Sequence, residues 1–579
     1  MRILLLSHLF NGLTQRLFVE LRAAGHVVAV EYDIADSVTE EAVALWRPEL
    51  VIAPFLKRRI PESVWSRVLC LVVHPGPPGD RGPSALDWAL QRGERDGGVT
   101  VLQATAEFDA GPVWAWRPIV LRAGATKADI YRRDVTQAAV AAVFDALARF
   151  RPGLAAPQPA PQLPPRLGVW QPLMRQTDRA IDWLQDDSAT VLRKLRAADG
   201  FPGVADALFG LPCRLFDAHA ACTDDLAHAP AGAPGAPIAR RGPALLLRTL
   251  DGGVWIGHVR RATAEADTLK LAATRAFAAE ATGLPELPVP LERPAGQWDE
   301  LRYREFGPVG ARVGVLSFEF YNGAMSTRQC LRLAAALDEL RARDTRVLVL
   351  DGGAECFSNG IHLHDIEAAT LDGASAADAS MRNIEAIDEV AHEILTLTDR
   401  LTVALLRGNA GAGGCFLALA ADEVWACEGV VLNPHYKNMG NLHGSEYWTY
   451  TLPRRVGAAR AAELMQARLP LLAAQACQLG LVDLVLGADA PQQAADAEAA
   501  ARAAAHNVEE RIAAKQARRA EDEARKPLAA YRTEELQRMH RNFYGFDPSY
   551  HVARHHFVYR KPQAWTPRHL AVHREAPRR

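Results

Sequence analysis

The chain opens on short apolar runs separated by amphipathic stretches. Ile3–Ser7, Val27–Glu31, Leu50–Ala53 and Leu69–His74 are continuous and short, as buried strands are, whereas Thr14–Ala24 and Glu40–Trp46 repeat apolar residues at helical spacing. That alternation predicts a doubly wound parallel sheet, which binds ligands beyond the carboxyl ends of its strands. His74 stands at such an end. The Pro-rich run 152–165 reads as a semi-rigid linker. A mixed segment then runs to about residue 290, with a helix at Ala189–Ala198, short strands such as Ala244–Thr249, and a Pro/Gly/Ala-rich loop at 230–237. Pro-rich 284–294 closes it, and from Gly310 the alternation resumes. Strand Val313–Phe318, helix Thr327–Arg343 and strand Arg346–Leu350 are followed by strand Leu401–Leu406, a glycine-rich turn and another helix. Beyond about residue 490 the chain is Ala-, Arg- and Glu-rich and helical, with a solvated charged face at 509–526, then aromatic and His-rich. The predicted class is α/β in four units: 1–155, 166–290, 306–490 and 491–579.

A length of 579 residues accommodates about three or four domains at ~150 residues each, in line with that division. The formal net charge of -2 gives no electrostatic case for a nucleic-acid or membrane-surface partner. No apolar stretch approaches the ~20 residues of a membrane span, and the apolar run at Ile3–Leu6 is too short for a signal sequence. The 8 cysteines are scattered without a C-x-x-C pair, as in a reduced protein, so a cytoplasmic location is expected.

Candidate chemistry sharpens the picture. His74-Pro-Gly-Pro-Pro-Gly-Asp-Arg81-Gly82, Gly98-Val-Thr-Val-Leu and Phe108-Asp109-Ala-Gly111 follow one another, and Ile181-Asp182-Trp183 and Phe201-Pro202-Gly203 come later. In that order they resemble the formyltetrahydrofolate-dependent formyltransferases, over about residues 1–285. The resemblance implies a catalytic domain, a small mixed β/α (OB-like) second domain, and 10-formyltetrahydrofolate as substrate. It also implies a folate loop at Gly76, Pro77, Pro78, Arg81 and Gly82, with His74 and Asp109 catalytic. Formyl transfer requires an oxyanion intermediate and a proton for the leaving nitrogen; an imidazole oriented by a carboxylate supplies both. One position departs: the family's Asn two residues before the His is Val72 here, removing an oxyanion donor worth roughly 2.7–4 kcal/mol. A thiol acceptor needs less help than an amine, because with a pKa near ~8.5 it is partly ionised at neutral pH.

Residues 306–490 resemble the crotonase (enoyl-CoA hydratase/isomerase) family through Asn322-Gly-Ala-Met-Ser326, Phe357-Ser-Asn-Gly360-Ile361, Gly408-Asn-Ala-Gly411-Ala-Gly413-Gly414 and Ala473-Ala-Gln-Ala-Cys-Gln-Leu-Gly480-Leu-Val482. The resemblance implies coenzyme A binding. It places an oxyanion hole at the N–H groups of Ile361 and Gly413, flanked by Gly360 and Gly414, the second donor at a helix N-terminus. The two glutamates of the hydratases are replaced by Phe416 and His435, so hydration is not expected. Tyr436 and Glu446, ten residues apart, lie in the loop that faces the thioester in this family.

Both modules in one chain resemble the HoxX hydrogenase-maturation family. This implies formyl transfer from 10-formyltetrahydrofolate to CoA, then conversion of formyl-CoA to CO for a [NiFe]-hydrogenase, with Tyr436 and Glu446 catalytic. Partners are then folate, CoA and the hydrogenase maturation machinery. Two other readings stay open: an acyl-CoA hydrolase or hydratase with an inert formyltransferase half, and a non-catalytic maturation scaffold. His551 and His555, four apart, could share a helix face, with His556 adjacent, but they lack a carboxylate or cysteine at ligand spacing. No metal is expected, and Phe557 and Tyr559 point to packing against the crotonase half. His362 and His364 are read as structural.

Overall fold

A computed structural model describes residues 1–150, 168–263, 269–487, 490–506 and 508–575; the predicted linker 152–165 lies outside them. The first unit is a six-stranded sheet of β1 (Arg2–Ser7), β2 (Val27–Tyr32), β3 (Leu50–Phe55), β4 (Cys70–His74), β5 (Asp96–Gln103) and β6 (Val113–Val120), in the order β2-β1-β3-β4-β5-β6. Strands β1–β4 are mutually parallel, as the alternation predicts, but β5 runs antiparallel to both of its neighbours, β4 and β6. Only residues 104–112 separate β5 from β6, too few for the crossover a parallel pair needs. Ile3, Leu5, Ile52 and Leu71 pack beneath Leu17, Leu21 and Val143 of the helices Gly12–Ala23 and Thr136–Arg149.

The second unit is antiparallel. Strands Val204–Leu208, Leu211–Ala220, Gly253–Arg261, Ala244–Arg248 and Pro237–Arg241 pair in that order, with Lys270–Ala272 beside Gly253–Arg261. Helix Ser188–Ala198, capped by the Asp187 carboxylate accepting the Thr190 N–H, buries Val191 and Leu195 against this sheet.

The third unit has a main sheet in the order Leu301–Phe306, Val313–Phe318, Val347–Asp351, Leu401–Leu406, Glu423–Cys427 and Leu484–Leu486, and only its first pair is antiparallel. A smaller sheet of Cys356–Ser358, Asn409–Gly411, Val431–Asn433 and Leu471–Leu472 carries the glycine turns. Helix Thr327–Leu340 stops three residues short of the predicted end, where Arg341 and Arg343 donate to carbonyls three residues back. Beside it lies helix Ala376–Thr396.

The tail is helical through Ala490–His506, Val508–Arg525, Leu528–Tyr544 and Ser549–Val558. Met539, Phe543 and Tyr550 are buried in the same core as the third unit, whereas Val558 and Tyr559 pack with the second. The chain then returns to β2: Val30 N–H donates to the Leu570 carbonyl and Tyr32 N–H to the Thr566 hydroxyl. The fully buried Glu31 carboxylate meets His573 at 2.8 Å and Arg574. Although burial works against ionisation, these partners hold Glu31 below the usual carboxylate range.

Candidate active sites

At the end of β4, buried His74 is flanked by two carboxylates. Its Nε2 lies 2.9 Å from Asp80 Oδ1 and its Nδ1 3.7 Å from Asp109 Oδ1. Asp80 is thus the hydrogen-bonded partner, and Asp109, expected in that role, stands at longer range while accepting the Gly82 N–H at 3.2 Å. The loop 75–82 folds tightly over the imidazole: a Cβ on Gly76 would sit 2.6 Å from His74 Nε2. Thr100, opposite His74 on β5, holds the loop by donating to the Gly76 carbonyl at 2.8 Å. Residues 168–171 strap its outer side; Gly168 N–H donates to the Pro78 carbonyl and Gln171 N–H to the Arg81 carbonyl. Gly82 has φ +111, and a Cβ there would lie 2.1 Å from the Gln171 carbonyl, so no other residue fits. Pro77 packs on Gly98, and Arg81 pairs with Glu107 at 2.9 Å. The expected folate-loop residues therefore form one surface around His74. Val72 joins the apolar cluster beneath β4 and offers no donor.

In the third unit the two glycine turns meet. Gly360 (φ +77) comes within van der Waals reach of Gly413, and Ile361 pairs with Met325 beside it. A Cβ on Gly414 would strike the Ser358 carbonyl at 2.0 Å. Glu446 places its carboxyl directly on this junction: a Cβ on Gly413 would lie 2.2 Å from its Oε1. Its other oxygen, Oε2, accepts a short hydrogen bond from the Tyr436 hydroxyl and longer ones, 3.2 Å each, from the Ser445 N–H and hydroxyl. Tyr436 also reaches the Ser445 carbonyl at 2.9 Å. A phenol has one proton, so both contacts are fully made only when the Glu446 carboxyl carries a proton of its own.

Burial, reinforced by the nearby Asp388 carboxylate, pushes Glu446 up to about 8. Burial also raises the Tyr436 phenol well above its usual value, with Glu446 adding to it. Phe416, fully buried in helix Gly413–Leu419, stacks on the Tyr436 ring at 5.0 Å and 19° and fixes the phenol's aim. His435 is buried, its two ring nitrogens have no hydrogen-bond partner among the described residues, and burial lowers it to about 4. Positions 416 and 435 thus offer a hydrocarbon ring and an imidazole that burial keeps neutral.

His362 Nδ1 caps helix Leu363–Leu371 by accepting the Asp365 N–H, and His364 Nδ1 accepts the Lys270 N–H. In the tail, His551 Nε2 bonds the Phe543 carbonyl and its Nδ1 meets Arg554, so both ring nitrogens are engaged.

Three acids around these centres are missed by motif reasoning. Asp80 hides among turn residues. Asp388 and Glu535, both fully buried, interrupt the apolar stripes Ile384–Ile387–Ala391 and Leu528–Met539–Phe543 of their helices. An acid in the apolar stripe of a helix is the signal that could have found the last two.

Residues 29–147 match the formyl transferase family, 173–272 the formyl transferase C-terminal domain, and 319–567 the enoyl-CoA hydratase/isomerase family. The chain is 56% identical to the hydrogenase maturation factor HoxX of Bradyrhizobium diazoefficiens over 575 residues, 99% of this chain and 97% of the relative. It superposes on the crystal structure of HypX from Aquifex aeolicus in complex with tetrahydrofolic acid with a TM-score of 0.92 and 44% identity, covering 100% of this chain and 99% of that one. The probable enoyl-CoA hydratase echA17 of Mycobacterium avium is 34% identical over 178 residues, 31% of this chain and 65% of that protein.

Proposed function

This chain belongs to the hydrogenase maturation factor HoxX family, and we propose that it makes carbon monoxide by two coupled steps, formyl transfer to coenzyme A and decarbonylation of the resulting formyl-CoA. In the first, the CoA sulfur attacks the formyl carbon of 10-formyltetrahydrofolate. The C–N bond then breaks, and the tetrahydrofolate nitrogen takes up a proton. His74, held between Asp80 and Asp109, is the group to stabilise the oxyanion and deliver that proton. Val72 suits a thiol acceptor, which attacks without a second oxyanion donor.

In the second step formyl-CoA, HC(=O)–SCoA, becomes CO and CoA–SH. Glu446 removes the formyl proton, the C–S bond breaks with its electron pair going to sulfur, and the thiolate is reprotonated, so atoms and charge balance. The N–H groups of Ile361 and Gly413 hold the carbonyl oxygen, and Tyr436 steers the proton between Glu446 and sulfur. A carboxyl pushed up to about 8 suits a group that must both accept and return a proton near neutrality. Phe416 keeps out the water that would hydrolyse formyl-CoA to formate. The CO is the ligand destined for a [NiFe]-hydrogenase, delivered with the maturation machinery.

One observation carries this reading: the Glu446 carboxyl, bonded to Tyr436, lies on Gly413, with the Phe416 ring stacked on Tyr436. Incubation with 10-formyltetrahydrofolate and CoA should release CO to a reduced haem protein, and Glu446→Gln should stop that release and let formyl-CoA accumulate. Formate as the sole product would mark the chain as a hydrolase. Unchanged CO release by Glu446→Gln would refute the assignment of the base.

A further inference from the structure

Glu446 and Tyr447 have φ of +60° and +57°, two successive non-glycine residues in the left-handed region. Each such residue costs about 1–2 kcal/mol, so the turn persists only where its surroundings hold it. The holding groups are two buried carboxylates from distant helices. Asp388 Oδ1, on helix Ala376–Thr396, accepts the Glu446 N–H at 2.7 Å. Glu535, on the tail helix Leu528–Tyr544, accepts the Tyr447 N–H at 3.0 Å through Oε2 and the Thr449 N–H at 2.8 Å through Oε1, with the Thr449 hydroxyl closing on the same oxygen.

Resting on the decarbonylation reading, we propose that Asp388 and Glu535 are positioning residues that clamp the Glu446–Tyr447 turn, and that the Asp388 charge sets the pH at which Glu446 becomes a base. Capping this turn needs acceptors, and neutral amides would serve. Carboxylates do more, because a like charge in a dry site opposes ionisation of its neighbour. The groups facing Glu446 support this assignment. Tyr436 and Ser445 come from its own loop, Asp388 from one helix, Glu535 from the tail, and the buried Cys330 thiol from helix Thr327–Leu340. Arg532 of the tail acts on Asp388 and Tyr447 and pairs with Glu389 at 2.9 Å. Phe416 offers no charge at all. The tail helix Leu528–Tyr544 thereby contributes part of the geometry around Glu446.

The test is the pH dependence of CO release from formyl-CoA by the full-length chain. Asp388→Asn keeps an oxygen for the Glu446 N–H while removing the charge. The midpoint of its rising limb should therefore move down by about one pH unit, with a plateau rate within about tenfold of wild type. Asp388→Ala, lacking the acceptor, should lose the plateau rate as well. Glu535→Gln keeps an acceptor for the Tyr447 and Thr449 N–H groups and should hold the plateau rate, whereas Glu535→Ala should lose it; equal plateau rates in this pair would overturn the clamp even if Asp388→Asn does not fold. Midpoints equal to wild type in the folded variants would leave the acids a merely structural role and overturn the proposal. Glu446→Gln is measured alongside, and CO release surviving in it would sink the assignment of Glu446 itself, separately from the clamp.

Discussion

Gly413→Ala is the sharpest test of the geometry. The new Cβ would lie 2.2 Å from Glu446 Oε1 and 2.9 Å from its Cδ, where an ordinary contact begins at 3.4 Å. The carboxyl would have to retreat by about 1 Å, the gap between 2.2 and 3.4 Å. It has little freedom to do so: Oε2 is tied to Tyr436 and Ser445, and the backbone behind it to Asp388. A misplacement of ~1 Å costs about a hundredfold in rate, equivalent to about 2.7 kcal/mol of transition-state stabilisation. The single-turnover rate of CO release at saturating formyl-CoA, read from the absorbance of reduced haem protein, should fall by that factor. Gly411→Ala is the control. There the added Cβ meets the Asn359 side-chain oxygen at 3.0 Å, an atom that can swing aside, and the rate should stay near wild type. If Gly413→Ala, folded with an unchanged Tm, released CO within about threefold of wild type, the carboxyl would not be acting at that spot.

With Glu446 pushed up to about 8, its basic form grows as pH rises, so CO release should climb to about pH 8 and level off; a flat profile from pH 6 to 9 would contradict the base. The same shift fixes a stability trend. Unfolded Glu446 ionises near 4.5 and folded Glu446 only near 8, so it contributes a loss of stability that develops between those values and is absent below 4.5. Glu446→Gln should therefore gain stability over wild type at pH 8, by up to a few kcal/mol at about 1.4 per pKa unit, and gain none at pH 4.5; urea unfolding followed through the crotonase half measures it. Asp80→Asn should slow formyl-CoA formation by about 10²-fold, as expected when the partner orienting a catalytic imidazole is lost; a variant at the wild-type rate would return Asp109 to the leading role. Phe416→Ala should cost about 3–5 kcal/mol and admit water, so formate should appear beside CO in product analysis.

The parts of this molecule legible in the sequence are those whose chemistry is local. The strand ending in His74, the glycine turns at 360 and 413 and the Tyr436–Glu446 loop each occupy a short run, so residue order alone displays them. What stayed hidden depends on packing between distant segments. Four strands of the first sheet and a parallel arrangement can be read from the sequence, whereas the antiparallel β5 and its neighbour β6 escape, because an apolar run does not state its direction. Asp80 meets His74 in a loop, 75–82, that is held from distant positions by Thr100 and by the strap 168–171. Asp388 and Glu535 lie 58 and 89 positions from Glu446 in the chain, and no motif spans such gaps.

The return of residues 566–574 to β2 has a consequence for biosynthesis. Glu31 is among the earliest-made residues of the first sheet, yet its partners Thr566, His573 and Arg574 are translated more than 530 residues later. While the chain is emerging from the ribosome, this carboxylate stays uncovered and β2 lacks its cross-link. The formyl transferase-like unit is therefore complete only after the enoyl-CoA hydratase-like unit and the tail have been made. Under the proposed two-step reaction, that order delays a finished formyl-transfer unit until the unit that would consume formyl-CoA has been translated.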